Sequence, residues 1–237
     1  MIIKKNILAF LDTVLTSLSS EINEVAIREA FLADISNNKE HLEAFIKRLP
    51  IIKKELEVDL DFFMQSDPAA NSSLEVCLTY PGYLAITYYR IAHVLVELGY
   101  HTEARIISEA VHSLTGIDIH PGASISSPFF IDHGTGIVIG ETAIVGKRCK
   151  IYQGVTLGAL SLSKGSALKG VKRHPTIGDD VTIYSGASIL GDITIGSNVT
   201  IGSNVFLLDS VPSNMKVVLS KPELIMKEKG ESRWILT

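Results

Sequence analysis

The 237-residue sequence is poor in cysteine, and Cys77 and Cys149 are too few and too far apart for a disulfide framework or a metal-type cluster. Both read as reduced thiols, which fits a cytoplasmic location. No window approaches the roughly 18 uninterrupted apolar residues of a spanning helix, so no membrane partner is expected. The opening Met1-Ile-Ile-Lys-Lys-Asn6 runs into helix-like sequence without an apolar signal core or a small-residue cleavage site, and secretion is not expected. A formal charge of −4, with no Lys/Arg stripe in either half, gives no footprint for nucleic acid. Apolar residues, by contrast, are plentiful: 46% against 20% charged is the balance of a core-forming chain, long enough for one or two domains.

Two periods divide the sequence. From about Lys4 to Gly116, apolar residues fall three or four apart, as in Ile7, Leu8, Leu11, Val14, Leu15 and Leu18, and again in Leu42, Phe45, Ile46 and Leu49. Tyr83 to Leu98 reads as an apolar helix ended by Gly99, and Thr102 to Leu114 as another ended by Gly116. Pro50 and the pair Asp67-Pro68 are expected helix ends, because proline lacks an N–H and restricts the residue before it. Residues 1–116 are thus expected to be all-α.

From Ile119 the spacing becomes six. Ile119, Ile125 and Ile131 form one register; Ile139, Val145, Ile151 and Leu157 a second; Ile177, Ile183, Ile189, Ile195, Ile201 and Leu207 a third. Four residues after most of these stands a small or β-branched residue, such as Ala123, Ala143, Val155, Val181, Ala187, Val199 or Val205. Glycine often follows the aliphatic residue directly, as at Gly140, Gly146, Gly178, Gly196 and Gly202. Helices need spacings of three and four, and hairpin sheets need turns every eight to twelve residues; neither fits. Three short strands and three tight turns per coil do fit, which predicts a parallel β-helix over residues 117–212 and a tail over 213–237.

The count slips twice. Ile131 to Ile139 is eight residues, and Leu157 to Ile177 is twenty where a full coil needs eighteen. A stack of coils requires neither insertion, and irregular loops on rigid scaffolds are favoured places for functional groups. The first insertion carries Asp132 and His133, and the second ends in Lys172-Arg173-His174-Pro175. Each places a histidine beside a charged residue.

Several segments carry a closer likeness: Asp118-Ile-His-Pro-Gly-Ala123, Ile131-Asp-His-Gly-Thr-Gly-Ile137, Gly140-Glu-Thr-Ala143, Gln153-Gly-Val-Thr-Leu-Gly158, Arg173-His-Pro175 and Gly186-Ala-Ser-Ile-Leu-Gly191. Ser66-Asp-Pro-Ala69 and Tyr89-Arg-Ile-Ala-His93 add to it in the helical half. From about Asp67 to Val211 the chain resembles the serine O-acetyltransferase family of hexapeptide-repeat acyltransferases. That resemblance implies a left-handed β-helix behind a helical oligomerisation domain, and transfer of acetyl from acetyl-CoA to the L-serine hydroxyl, the first step of cysteine biosynthesis from serine.

A base must take the hydroxyl proton as the oxygen attacks the thioester, and histidine suits that near neutrality. His133 is the candidate. The resemblance makes Asp118, fifteen residues upstream and about one coil below, its partner at the far ring nitrogen. A zwitterionic acceptor needs a cation for its carboxylate and anions for its ammonium. Arg173 and His174 match the former, Asp132 and Asp67 the latter. Gly158, Ala159, Ser185 and Ser203 match pantetheine contacts of acetyl-CoA, where small residues admit a close backbone approach. Lys164, Lys169, Lys172, Lys216 and Lys221 are candidates to meet its phosphates. His41, His93, His101, His112 and His120 receive no catalytic role.

No metal is expected. A β-helical zinc carbonic anhydrase would need two histidines five apart, and none of the seven is so placed. Homoserine or a sugar remains the alternative acceptor, since one methylene in a pocket is worth only about 1–3 kcal/mol. A homotrimer or dimer of trimers, with each site shared by two chains, is what the resemblance implies, together with inhibition by cysteine. Family members that bind O-acetylserine sulfhydrylase end in isoleucine. This chain ends Trp234-Ile-Leu-Thr237, which speaks against that complex, and Ser220-Lys-Pro-Glu223 and Gly158-Ala159 also depart from the family pattern.

Overall fold

The computed structural model describes residues 2–160 and 170–221. Lys164, Lys169, Glu223 and the carboxy-terminal Trp234 to Thr237 lie outside them. Six helices come first: α1 (Ile2–Leu18), α2 (Glu24–Asp34), α3 (Lys39–Ser66), α4 (Ser73–Thr79), α5 (Pro81–Glu97) and α6 (His101–Thr115). Three starts are capped by side chains that satisfy otherwise orphaned N–H groups: Asn23 accepts from Ala26, Asn38 from Glu40 and His41, and Ser72 from Glu75. Gly116, at φ 72°, closes α6 in the left-handed region.

Pro50 corrects one expectation: α3 runs through it. A mid-helix proline costs about 3 kcal/mol, but Leu42, Phe45, Ile46, Leu49, Ile52, Leu56 and Phe63 form one buried face spanning the break. Burial of each such side chain is worth roughly 1.5–3 kcal/mol, so the face outweighs one lost hydrogen bond. Asp67 does end the helix, with extended backbone at its cap.

Among the described residues fourteen short strands follow. β1 (Asp118–Ile119), β4 (Val138–Ile139), β7 (Thr156–Gly158), β10 (Ser188–Leu190) and β13 (Phe206–Leu207) make a first parallel sheet. β2 (Ser124–Ile125), β5 (Ile144–Val145), β8 (Thr176–Ile177) and β11 (Thr194–Ile195) make a second. β3 (Phe129–Asp132), β6 (Cys149–Tyr152), β9 (Thr182–Ile183), β12 (Thr200–Ile201) and β14 (Lys216–Val217) make a third. Each of the first four coils gives one strand to each sheet, and the last gives one to the first and one to the third, with Val211 bridging Ile195 between them. The hexad positions stack in register, Ile119 on Ile139 on Leu157 on Ile189. These residues are at most 3% exposed, so the column of aliphatic side chains is the solenoid core. β14 continues the third sheet within the segment expected to be tail.

The halves are joined by buried polar contacts. Arg90 on α5 donates to Asp59 on α3 through Nε (2.7 Å) and Nη2 (3.0 Å). Asp59 Oδ1 also accepts from the Phe129 N–H (2.9 Å) and the Ser127 hydroxyl (3.0 Å) in the first coil. The Tyr89 hydroxyl donates to the Ala123 carbonyl (2.6 Å) and accepts from the Ile125 N–H (3.0 Å). Phe63 on α3 meets Phe130 on β3, ring centroids 4.7 Å apart. Gly82 lets α5 lie directly on β3, because an added Cβ would overlap the Ile131 carbonyl.

Candidate active site

Each β3-to-β4 type connection turns a corner between the third and first sheets, and each β1-to-β2 type connection turns a corner between the first and second. The two insertions fall on different corners. Residues 133–137 lie on the first kind, stacked with the later turns that carry Ser185 and Ser203. Gly158, Ala159, Arg173 and His174 lie on the second kind, stacked with residues 120–123 and 140–143.

At the first corner, the extra residues after β3 lift His133 out of the wall. Its backbone is left-handed, φ 56°, and its side chain is 69% exposed, with Nδ1 3.5 Å from Asp132 Oδ1. Gly134 and Gly136, also at positive φ, complete the turn, and the Gly136 N–H donates to the Gly116 carbonyl at 2.8 Å. An added Cβ at Gly134 would overlap Ile117, so the turn rests on the residue just before Asp118.

Asp118 itself faces α6. Its Oδ1 is 3.6 Å from Arg105 Nη1, and Arg105 also pairs with Glu109 at 2.5 Å. Carboxylate and imidazole atoms of Glu109, His112 and Asp118 lie within 4.8 Å of one another. Asp118 stacks in register on Val138, five residues after His133, and no hydrogen bond or ion pair joins Asp118 to His133 among the described residues.

Asp67 belongs to the same corner as Asp132. Its Oδ1 accepts the Ala69 N–H (2.8 Å), and its Oδ2 accepts the Tyr80 hydroxyl (2.7 Å). That hydrogen bond, aided by burial and by the charges of Asp67, Glu75 and Asp132, pushes the Tyr80 phenol up to about 12. Tyr152, the register partner of Asp132 one coil on, is raised by burial and then by the charges of Asp132, Tyr184 and Asp67. Its ring stacks on Tyr184, centroids 5.1 Å apart. The corner therefore gathers two carboxylates, three phenols and an exposed imidazole.

The other corner is basic and more enclosed. Arg173 Nη2 bonds Glu141, holding that carboxyl below its ordinary range. His174 is 7% exposed, and its Nδ1 accepts from the Thr142 N–H (3.1 Å) and lies 2.8 Å from the Thr142 hydroxyl. Accepting there leaves the proton of the neutral ring on Nε2. Burial, then the charges of Arg173 and Lys172, lowers His174 to about 4. Gly140 must stay glycine, since a Cβ would overlap the His174 ring. The Ser185 and Ser203 hydroxyls are 3.3 Å apart on the first corner, away from Gly158 and Ala159.

Tyr80 and Tyr152 were not singled out from sequence, and Glu141 and Thr142 entered there only within Gly140-Glu-Thr-Ala143, without a role. Adding the twenty residues of a coil with its insertion to Asp132 reaches Tyr152, so that one was available by counting. Tyr80 is brought in by tertiary contact alone.

The family model for bacterial transferase hexapeptide (six repeats) matches residues 174–209. The serine acetyltransferase of Bacillus subtilis is 45% identical over 176 residues, covering 74% of this chain and 78% of that one. The chain belongs to the serine acetyltransferase family. A plasmid-borne serine acetyltransferase of Synechococcus elongatus is 50% identical over 189 residues, covering 78% of this chain, which spans 59% of that longer relative. Among solved structures, serine acetyltransferase isoform 3 of Entamoeba histolytica, in complex with cysteine, is 38% identical with a TM-score of 0.75, covering 93% of this chain and 73% of that one. The serine acetyltransferase of Neisseria gonorrhoeae, in complex with serine, is 35% identical with a TM-score of 0.70, covering 89% and 80%. Among the described residues no helix is long and apolar enough to cross a membrane.

Proposed function

We propose that this chain transfers acetyl from acetyl-CoA to the hydroxyl of L-serine, giving O-acetyl-L-serine and CoA. The observation that carries the reading is the exposed His133 in the first insertion, beside Asp132, in a chain of serine acetyltransferase kinship. His133 takes the hydroxyl proton as the serine oxygen attacks the thioester carbon. The tetrahedral intermediate then expels the CoA sulfur, which takes the proton back from the imidazolium. Asp118 is the partner that orients the ring and offsets its transient charge. For this, His133 exchanges Asp132 for Asp118, and its exposed side chain is not packed in place.

Arg173 and His174 receive the acceptor carboxylate, and Asp67 and Asp132 its ammonium. Because these sets occupy different corners of one prism, a complete site forms where the acidic corner of one chain meets the basic corner of another. Gly158 and Ala159 on one corner, and Ser185 and Ser203 on the other, line the acetyl-CoA groove across that junction. A homotrimer is a closed ring that repeats this junction for every chain, and a dimer of trimers preserves it.

The deciding assay is CoA release from acetyl-CoA with L-serine, L-homoserine, L-threonine and simple sugars as acceptors. Serine-dependent release is expected; release with homoserine or a sugar alone would assign another acceptor. A light-scattering mass of one subunit would refute the shared site.

A further inference from the structure

Tyr80 lies outside every motif from which the site was read, yet it is bonded to it. It sits between α4 and α5, its ring edge-on to Phe63 with centroids 6.3 Å apart. Its hydroxyl takes one oxygen of Asp67 at 2.7 Å, and the Ala69 N–H takes the other at 2.8 Å. A carboxylate at a helix end is ordinarily free to turn about its side-chain bonds; one donor on each oxygen fixes its plane.

Asp67 and Asp132 both act electrostatically on the Tyr80 hydroxyl, and both act on Tyr152. Two carboxylates in one corner repel until a cation arrives, and a phenolic proton offsets part of that repulsion in the empty site. The phenol is raised, so it remains a donor through the neutral range.

We propose that Tyr80 is a positioning residue of the acceptor site, holding the Asp67 carboxylate in place to meet, together with Asp132, the ammonium of an amino-acid acceptor. The inference rests on the functional reading above and deepens it: the site selects for a free α-ammonium through a side chain that touches Asp67 rather than the acceptor.

The test is Tyr80→Phe in the full chain, which keeps the ring on Phe63 and removes only the hydroxyl. KM for L-serine is expected to rise about tenfold, with kcat changed less than about twofold, as for loss of one charge-assisted hydrogen bond used in binding. The inhibition constant of 3-hydroxypropanoate, which keeps the carboxylate and hydroxyl of serine but has no ammonium, is expected to move less than about twofold. In an Asp67→Asn background the same substitution should add little. An unaltered KM, equal losses for serine and 3-hydroxypropanoate, or additive effects would each overturn the inference while wild-type activity stands. Absence of serine-dependent CoA release by the unmodified chain would overturn the functional reading and this inference with it.

Discussion

His133 holds a left-handed backbone conformation that a side chain with a Cβ adopts at a cost of roughly 1–2 kcal/mol. Among the other non-glycine residues of the solenoid that conformation falls mostly to Asp180, Asn198, Asn204 and Asn214, residue types that tolerate it best after glycine. A histidine here is a local compromise that its proposed chemistry explains. His133→Asn is therefore expected to lower kcat at least about a hundredfold without lowering the melting temperature. A variant that keeps most of its rate would remove His133 as the base. His174 supplies a second test. Its folded value near 4 lies below the ordinary 6.5, so the unfolded chain takes up a proton that the folded chain refuses. Its stabilising contribution is complete above about pH 6.5, declines as pH falls towards 4, and is constant below. Melting curves across that range should be steeper for the unmodified chain than for His174→Asn, and equal slopes would contradict the assignment. Both histidines were legible as interruptions of a six-residue count. Their surroundings were not, because Thr142 reaches His174, Glu141 reaches Arg173 and Tyr80 reaches Asp67 through side-chain hydrogen bonds that no spacing records.

Among the elements, α3 and α5 matter beyond their own packing. Asp59 is fully buried and satisfies Arg90, Ser127 and Phe129 together. Breaking such a pair leaves a charge without its partner, at a cost of about 3–5 kcal/mol. Arg90→Met is expected to lower the unfolding free energy by about that amount in urea titrations, while Arg48→Met, at a half-exposed pair with Glu97, should change it by less than about 1 kcal/mol. Similar values for the two would show that Asp59 has found other partners. The helices were legible from their periodicity, and Gly116 marked the end of α6. Pro50 misled because a local rule was set against a buried face of seven side chains. The strands were legible almost residue by residue, since hexad stacking leaves no freedom of register.

At the scale of the whole molecule, the proposed site draws on two corners and so on two chains. His133→Ala and Arg173→Ala proteins, each expected to be nearly inactive, should regain activity when co-expressed, because some mixed junctions carry both native residues. No recovery at all would mean that both residues serve one site from the same chain. This arrangement could not be read from the hexads, which report only on how each coil lies on the next.

The contacts of Asp59, Tyr89 and Arg90 with residues 123–129 have a further consequence. The terminal coil of a stacked β-helix carries backbone donors and acceptors on its outer rim, with no preceding coil to meet them, and exposed rims invite other chains. Here the helices close that rim: the Tyr89 hydroxyl meets the Ala123 carbonyl and the Ile125 N–H, and the Asp59 carboxylate meets the Phe129 N–H. Since these helices precede the strands in the chain, they are made first during synthesis, and the first coil can settle on side chains already in place. Coils added from such a templated end would escape the aggregation that a bare rim would seed.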